Sequence, residues 1–211
     1  MPFDFYIEVD KYLGKCEENN SRLQAYDICH EKFVVAINTK SYNRDELALH
    51  LYAFLASYGM VCRKSILLQH NYRFLIDIVR IVCDKKYESL LDINPFTMSF
   101  SSNKYINMVL ELKDELSKCL KLSNGSNDTL TSKIMLGTLG CVPAYDKYVK
   151  KSLKKLCLCK NFSKKGLQGL IDFTRKYKDA IIRAKNACSA HSRNYSVMKL
   201  LDCVLWACSR Q

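Results

Sequence analysis

The residues of this chain best placed to do chemistry lie between positions 130 and 148. Its pattern predicts a helix that carries Lys133, followed by a short break and a second helix. Pro143 is expected to open the second helix, with Asp146 in its first turn. A lysine amine can attack a carbon atom covalently, and a carboxylate can stabilise positive charge that develops beside it. Each residue also has a structural interpretation, Asp146 as an acid that favours a helix start and Lys133 as a solvated lysine.

The residues around Asp146 resemble the catalytic segment of the helix-hairpin-helix DNA glycosylases. In that family a lysine-bearing helix leads into a turn of the form V-P-V-D-T-H-V, and this chain matches it at Val142, Pro143, Asp146 and Val149. The resemblance implies that Asp146 stabilises the sugar cation as the N-glycosidic bond breaks. It implies that Lys133, near the position of the family's Schiff-base lysine, forms the covalent intermediate. The target base would be flipped out of the duplex.

The chain also departs from the glycosylase pattern. The resemblance covers some 20 of the 211 residues, and the Leu-Pro-Gly-x-Gly hairpin that precedes the lysine in the family has no counterpart in residues 126–131. The 13 residues from Lys133 to Asp146 are also a shorter spacing than family members show. Three stretches, 49–60, 129–148 and 195–202, together resemble a family of bacterial proteins of about this length whose activity is uncharacterised.

A second feature is the concentration of positive charge in residues 147–193. This stretch holds 14 of the 33 basic residues but only 2 of the 21 acidic ones, so it carries the whole net charge of +12. Such a surface is typical of proteins that meet a polyanion, although a solvated helical face is the alternative. We expect DNA phosphates to be bound by lysines that follow one helical face: Lys147, Lys150, Lys151, Lys154 and Lys155.

The patterns expected of metal and cofactor sites are missing. Cys157 and Cys159 are the only close pair among eleven cysteines, and the four histidines lie far apart, whereas structural zinc sites draw on two close pairs. Phosphate-binding glycine loops and nucleophile elbows are not found either. We therefore expect no metal and no cofactor. Scattered apolar cysteines, no signal-peptide pattern and no long apolar run predict a cytoplasmic protein without a membrane span.

The scarcity of glycine and proline, with 7 and 3 residues, favours an all-α fold. Helical spacing of apolar residues predicts eight to nine helices in a compact globular array. The polar loop 123–127 suggests two helical regions, 1–122 and 128–211, which could also form one domain. The fourth helix should span 71–83. A later helix, capped by Ser163, should continue to Ile181, the last residue of its buried apolar face.

These observations indicate a DNA-binding helical protein, and the resemblance extends this to a diverged base-excision glycosylase. The alternative is a non-enzymatic module that binds nucleic acid or a protein with an acidic surface. Composition and spacing do not decide between an enzyme and a binding protein.

Overall fold

The computed structural model describes residues 5–18, 21–63, 65–96, 102–121, 128–190 and 193–209, and over these ranges the chain is all-α without a strand. The predicted fold class is confirmed, but the described part has ten α-helices rather than eight or nine. The α-helices are α1 Phe5–Glu17, α2 Gln24–Thr39, α3 Arg44–Ser57, α4 Ile76–Val82, α5 Ser102–Cys119, α6 Asp128–Leu139, α7 Lys147–Lys155, α8 Lys164–Lys176, α9 Lys178–Ala190 and α10 Val197–Cys208. Three 3-10 segments span Ile66–Leu68, Tyr72–Leu75 and Lys85–Leu90.

Several helix ends follow directly from the local sequence. The Asn43 side chain accepts hydrogen bonds from the backbone N–H groups of Asp45 and Glu46 and so caps α3. The Ser163 hydroxyl accepts from the backbone N–H of Gly166 and caps α8 in the same way. Gly59 follows α3 with a φ of +73°, a conformation that glycine adopts without a steric penalty. The predicted loop 123–127 lies outside the described residues.

Two predicted helices differ in the structure. Pro143 does not open α7, because the backbone N–H groups of Ala144 and Tyr145 donate to the side chains of Asp202 and Ser132. The chain therefore stays non-helical until Asp146, and α7 begins at Lys147. The sequence also predicts one helix over 71–83, whereas the structure has the 3-10 segment Tyr72–Leu75 followed by α4.

The helix predicted to continue from Ser163 to Ile181 is also divided. The structure ends α8 at Lys176 and begins α9 at Lys178, with Tyr177 between them. The Tyr177 ring lies 4.7 Å from Phe173 and 6.1 Å from Phe5 of α1, measured between centroids. An aromatic cluster with α1 thus forms at the break, and local periodicity along α8 does not reveal it.

Helices α6 and α10 lie in the interior. Helix α10 packs against α1, α7 and α9, and α6 packs against α2, α3, α4 and α5. Every residue of α6 from Leu130 to Leu139 is buried. The hydrophobic core is one cluster with members from both the 1–122 and the 128–211 regions. Polar side chains on α6 and α10 are therefore forced into the interior, where they need partners. Among the described helices, none combines the length and apolar character needed to span a membrane.

Candidate functional site

Two lysines and two aspartates from α6, α10 and the start of α7 line one cavity of about 120 Å³. We call it the polar cavity, and these residues are Lys133, Asp146, Lys199 and Asp202. Its wall also contains Tyr12, Arg22, Tyr58, Tyr148 and Trp206. The volume is below the roughly 300–1,000 Å³ of typical ligand pockets. A large ligand would therefore require the cavity to open.

The two candidate catalytic residues meet in this cavity. Lys133 Nζ lies 3.6 Å from Asp146 Oδ2 and donates a hydrogen bond of 2.8 Å to the backbone carbonyl of Tyr58. Only 6% of Lys133 is exposed. The alternative interpretation of Lys133 as a solvated lysine is therefore wrong. Tyr58 lies immediately after α3, so the ammonium group also neutralises the negative end of that helix.

Asp146 stabilises the start of α7 in this arrangement. Its Oδ1 accepts hydrogen bonds from the backbone N–H groups of Tyr148 at 2.9 Å and Val149 at 3.1 Å. These contacts make Asp146 the N-cap of α7, where a carboxylate also interacts favourably with the helix dipole. The other oxygen faces Lys133. Both oxygens are therefore engaged before any substrate binds.

Lys199 has no role in the sequence prediction, yet it is fully buried within a ring of aromatic side chains. Its Nζ donates to Tyr12 Oη at 3.0 Å and lies 3.7 Å from Asp202 Oδ2. The Nζ atom also lies between 4.3 and 5.9 Å from the ring centroids of Tyr12, Tyr26, Tyr58 and Tyr195. A cation in this position is attracted by the ring faces, and the attraction strengthens away from water. The site therefore holds an ammonium group without bulk solvent.

The protonation of this cluster is set by burial and by mutual interaction. Burial opposes the charging of Lys199, yet the surrounding thiol, phenol and carboxylate groups outweigh it, so the pKa of Lys199 lies above its ordinary value. Burial raises the pKa of Asp202, although Lys199 and the N–H of Ala144 act against this shift. Burial likewise raises the pKa of Tyr12 and Tyr58. The phenols therefore stay neutral at physiological pH and act as hydrogen-bonding groups.

Residues of three separate stretches of the sequence, 49–60, 129–148 and 195–202, line the polar cavity. Stretch 49–60 contributes Tyr58, stretch 129–148 contributes Lys133 and Asp146, and stretch 195–202 contributes Lys199 and Asp202. The last pair carries a sequence signal that the prediction overlooked. Two opposite charges three residues apart in an otherwise apolar helix lie on the same face, and such a helix buries them.

The five lysines predicted to bind nucleic acid do not have equivalent surroundings. Lys151 Nζ donates to the backbone carbonyl of Ser209 at 2.6 Å, and Lys155 Nζ donates to that of Cys208 at 3.2 Å. These two lysines cap the C-terminal end of α10, where positive charge is favourable. Lys147 and Lys154 are exposed, and Lys147 Nζ lies 4.9 Å from the ring centroid of Tyr148. Lys150 is half-buried.

The positive charge of α7, α8 and α9 is not neutralised by folding. Between described residues, no ion pair joins a basic residue of the stretch 147–185 to a carboxylate, whereas Arg193 pairs with Asp27. Basic residues of the first 121 positions are paired much more often. Their ion pairs are Lys11–Glu8, Lys32–Glu46, Lys40–Glu88, Arg73–Asp45, Arg80–Asp77, Lys86 with Glu111 and Glu115, and Lys113–Asp128.

A larger groove of about 550 Å³ lies along α2 and contains His30 and Asp92. His30 Nε2 lies 2.9 Å from Asp92 Oδ1, and Nδ1 lies 3.1 Å from the carbonyl of Thr138. Gly140, at φ +60°, passes beside this pair, and a Cβ there would lie 2.7 Å from Asp92 Oδ1. Both ring nitrogens of His30 therefore already have partners, and the pair orders the backbone junction after α6.

Within the described ranges, no group of three or more histidine, cysteine, aspartate or glutamate side chains is arranged to hold a metal ion. Comparisons with protein-family models, with curated proteins and with solved structures found no match for this chain.

Proposed function

We propose that this chain binds DNA through the basic residues of α7, α8 and α9. The observation that carries the proposal is the uncompensated charge of residues 147–185, which lack carboxylate partners among the described residues while basic residues elsewhere have them. Like charges on a surface repel one another, and a polyanion relieves that repulsion and releases its own counterions. The phosphate backbone of DNA is the partner whose chemistry matches this surface.

The five lysines of α7 differ in their contacts. We assign phosphate binding to the three that do not donate to a carbonyl at the end of α10: Lys147, Lys150 and Lys154. Lys151 and Lys155 already donate to backbone carbonyls at the end of α10. An ammonium group has three donor hydrogens, so these two can contact a phosphate and keep their capping role. Their removal should therefore cost stability as well as affinity.

The direct test is the affinity for a fluorescein-labelled DNA duplex, measured by anisotropy over a range of salt concentrations. We expect log K to fall linearly with log salt, with a slope of about −0.9 for each phosphate contacted. The variants Lys150→Gln and Lys154→Gln should each reduce the slope by about 0.9 and leave thermal stability unchanged. Lys40→Gln, which removes a lysine paired with Glu88, is the matched control and should leave the slope unchanged.

Negligible DNA binding at low salt would overturn the proposal. It would favour instead the interpretation in which the basic surface meets an acidic protein. Binding with an unchanged slope in Lys150→Gln and Lys154→Gln would place the DNA elsewhere on the chain.

A second candidate function is base excision, with Asp146 and Lys133 as catalytic residues. The observation that favours it is their approach to 3.6 Å in a cavity that adjoins the start of the basic stretch. Asp146 would stabilise the sugar cation and Lys133 would attack the sugar carbon. Both groups would first have to exchange partners, because Asp146 accepts from two backbone N–H groups and Lys133 donates to a carbonyl. The small cavity would also have to open for a flipped base.

This candidate is tested with duplexes that contain uracil, an oxidised base, an alkylated base or an abasic site. Alkali-labile strand breaks should appear with one base lesion, and borohydride should trap a covalent imine between an amine and the abasic sugar. Lys133→Met should abolish trapping, and Asp146→Asn should abolish base release. If wild-type protein yields neither product on any duplex, base excision fails, while the DNA-binding proposal is judged separately by the salt titration.

A further inference from the structure

A third pocket, of about 290 Å³, lies on the basic surface between α9, the segment before α5 and the start of α10. Its wall contains Phe96, Ile182 and two lysines of α9, Lys178 and Lys185, together with Asn94. Phe96 is half-buried, and Ile182 is 38% exposed. The pocket thus combines an aromatic and aliphatic wall with flanking positive charge.

The two lysines line the pocket together with its apolar side chains. They are seven residues apart in α9, which puts them on one face and about 10 Å apart along the helix axis. Lys178 Nζ lies 5.9 Å from the centroid of the Phe96 ring. Among the described residues, neither lysine has a carboxylate partner. A phosphate bound by Lys178 would therefore lie close to the Phe96 ring.

Asn94 adds a polar group at the edge of the pocket. Its Oδ1 accepts a hydrogen bond of 2.9 Å from the backbone N–H of Phe96. That contact orients the side-chain amide, whose two N–H donors have no partner among the residues that the structure describes. A flat ligand on the Phe96 ring could therefore accept a hydrogen bond at its edge.

We propose that this pocket binds one unpaired base of a DNA strand, stacked on Phe96, while Lys178 and Lys185 hold the flanking phosphates. The inference rests on the proposed DNA binding and specifies the form of DNA preferred. A base within a duplex has both faces covered by its neighbours and cannot reach an aromatic wall, whereas every unpaired base has a free face. The chain therefore binds single-stranded DNA, or a duplex with an extrahelical base, more tightly than an uninterrupted duplex.

The experiment compares three fluorescein-labelled probes by anisotropy at one salt concentration: an oligothymidylate, a blunt duplex, and the same duplex with one bulged thymidine. Loss of base–aromatic stacking costs about 1–3 kcal/mol. Phe96→Leu, which keeps an apolar side chain but removes the ring, should therefore weaken oligothymidylate binding by about tenfold. Binding of the blunt duplex should change by less than about twofold, since only the lysines contact it.

Two further variants keep this test independent of protein stability. Phe96→Trp retains a stacking surface and should retain the preference for unpaired bases. Phe74→Leu removes a comparable half-buried ring that stacks on His70 away from the basic surface, and it should leave all three affinities unchanged. Melting curves of each variant show whether it is folded under the conditions of the binding assay.

The outcomes separate this inference from the proposal on which it rests. No binding of any probe would overturn both. Equal affinity for the three probes, or an unchanged oligothymidylate affinity in Phe96→Leu, would overturn the stacking pocket and leave duplex binding intact. Phe96-dependent binding of phosphatidylserine vesicles, without Phe96-dependent DNA binding, would assign the pocket to an anionic amphiphile and overturn the inference.

Discussion

Lys133 and Asp146 are 13 residues apart in the chain, yet Lys133 Nζ lies 3.6 Å from Asp146 Oδ2. Each member of the pair also completes a helix end. Lys133 donates to the carbonyl of Tyr58 after α3, and Asp146 accepts from the first N–H groups of α7. The pair thus joins the negative end of one helix to the positive end of another, and each charge is favourable at its own end.

Replacing Asp146 separates its capping role from its charge. Asp146→Ala removes the N-cap of α7 and the ion-pair partner of Lys133, so we expect the free energy of unfolding to fall by about 2 kcal/mol. Asp146→Asn keeps a good capping oxygen and should cost less than about 1 kcal/mol. Urea denaturation followed by circular dichroism measures both. Equal losses in the two variants would show that the charge, and not the cap, stabilises this end of α7.

Lys199 and Asp202 should depend on each other. Lys199→Met leaves a buried carboxylate without its cation, and breaking a buried pair in this way costs about 3–5 kcal/mol. The double variant Lys199→Met with Asp202→Asn removes the unpaired charge and keeps an oxygen for the N–H of Ala144. We therefore expect it to be more stable than Lys199→Met alone, as a double-mutant cycle of unfolding free energies would show. Additive losses would mean that the two side chains do not interact.

Asp202 should also contribute a pH dependence to stability. Burial raises the pKa of this carboxyl above its ordinary value of 3.8, so the folded chain binds the proton more tightly than the unfolded chain does. The resulting stability is fully present below pH 3.8 and is lost as the pH rises through the folded pKa. The unfolding free energy of wild type relative to Asp202→Asn should therefore decrease as the pH rises from 3.8. An increase over that window would contradict the assigned direction.

The cysteines should react with thiol reagents according to their burial. Cys62 and Cys157 are exposed, whereas Cys188 and Cys203 are buried. Burial raises the pKa of each of these two buried thiols to about 12, so the reactive thiolate is scarce. Folded protein treated with a disulfide-exchange reagent should show a fast phase that Cys62→Ser and Cys157→Ser together abolish. Fast labelling of Cys203 would mean that α10 is not buried as described.

The outline of the fold follows from interactions between residues close in the chain. Asn43 and Ser163 cap helices with backbone groups two or three residues away, and Gly59 follows α3 in a left-handed conformation. These features depend on neighbours in the sequence, so the sequence predicts them. The apolar composition of α10 likewise predicts that this helix is buried. The sequence also shows that residues 147–193 carry the whole net positive charge of the chain.

The polar cavity exists only because of the tertiary structure, which brings its charged side chains together. Whether a lysine is solvated or buried depends on which helices surround it, and Lys133 and Lys199 are buried because α6 and α10 lie in the interior. The capping of α10 by Lys151 and Lys155 depends in the same way on the approach of α7 to the end of that helix. A sequence pattern describes what each helix presents on its faces. Only the packing of the helices determines which faces meet, and therefore which charges are neutralised and which remain available to a partner.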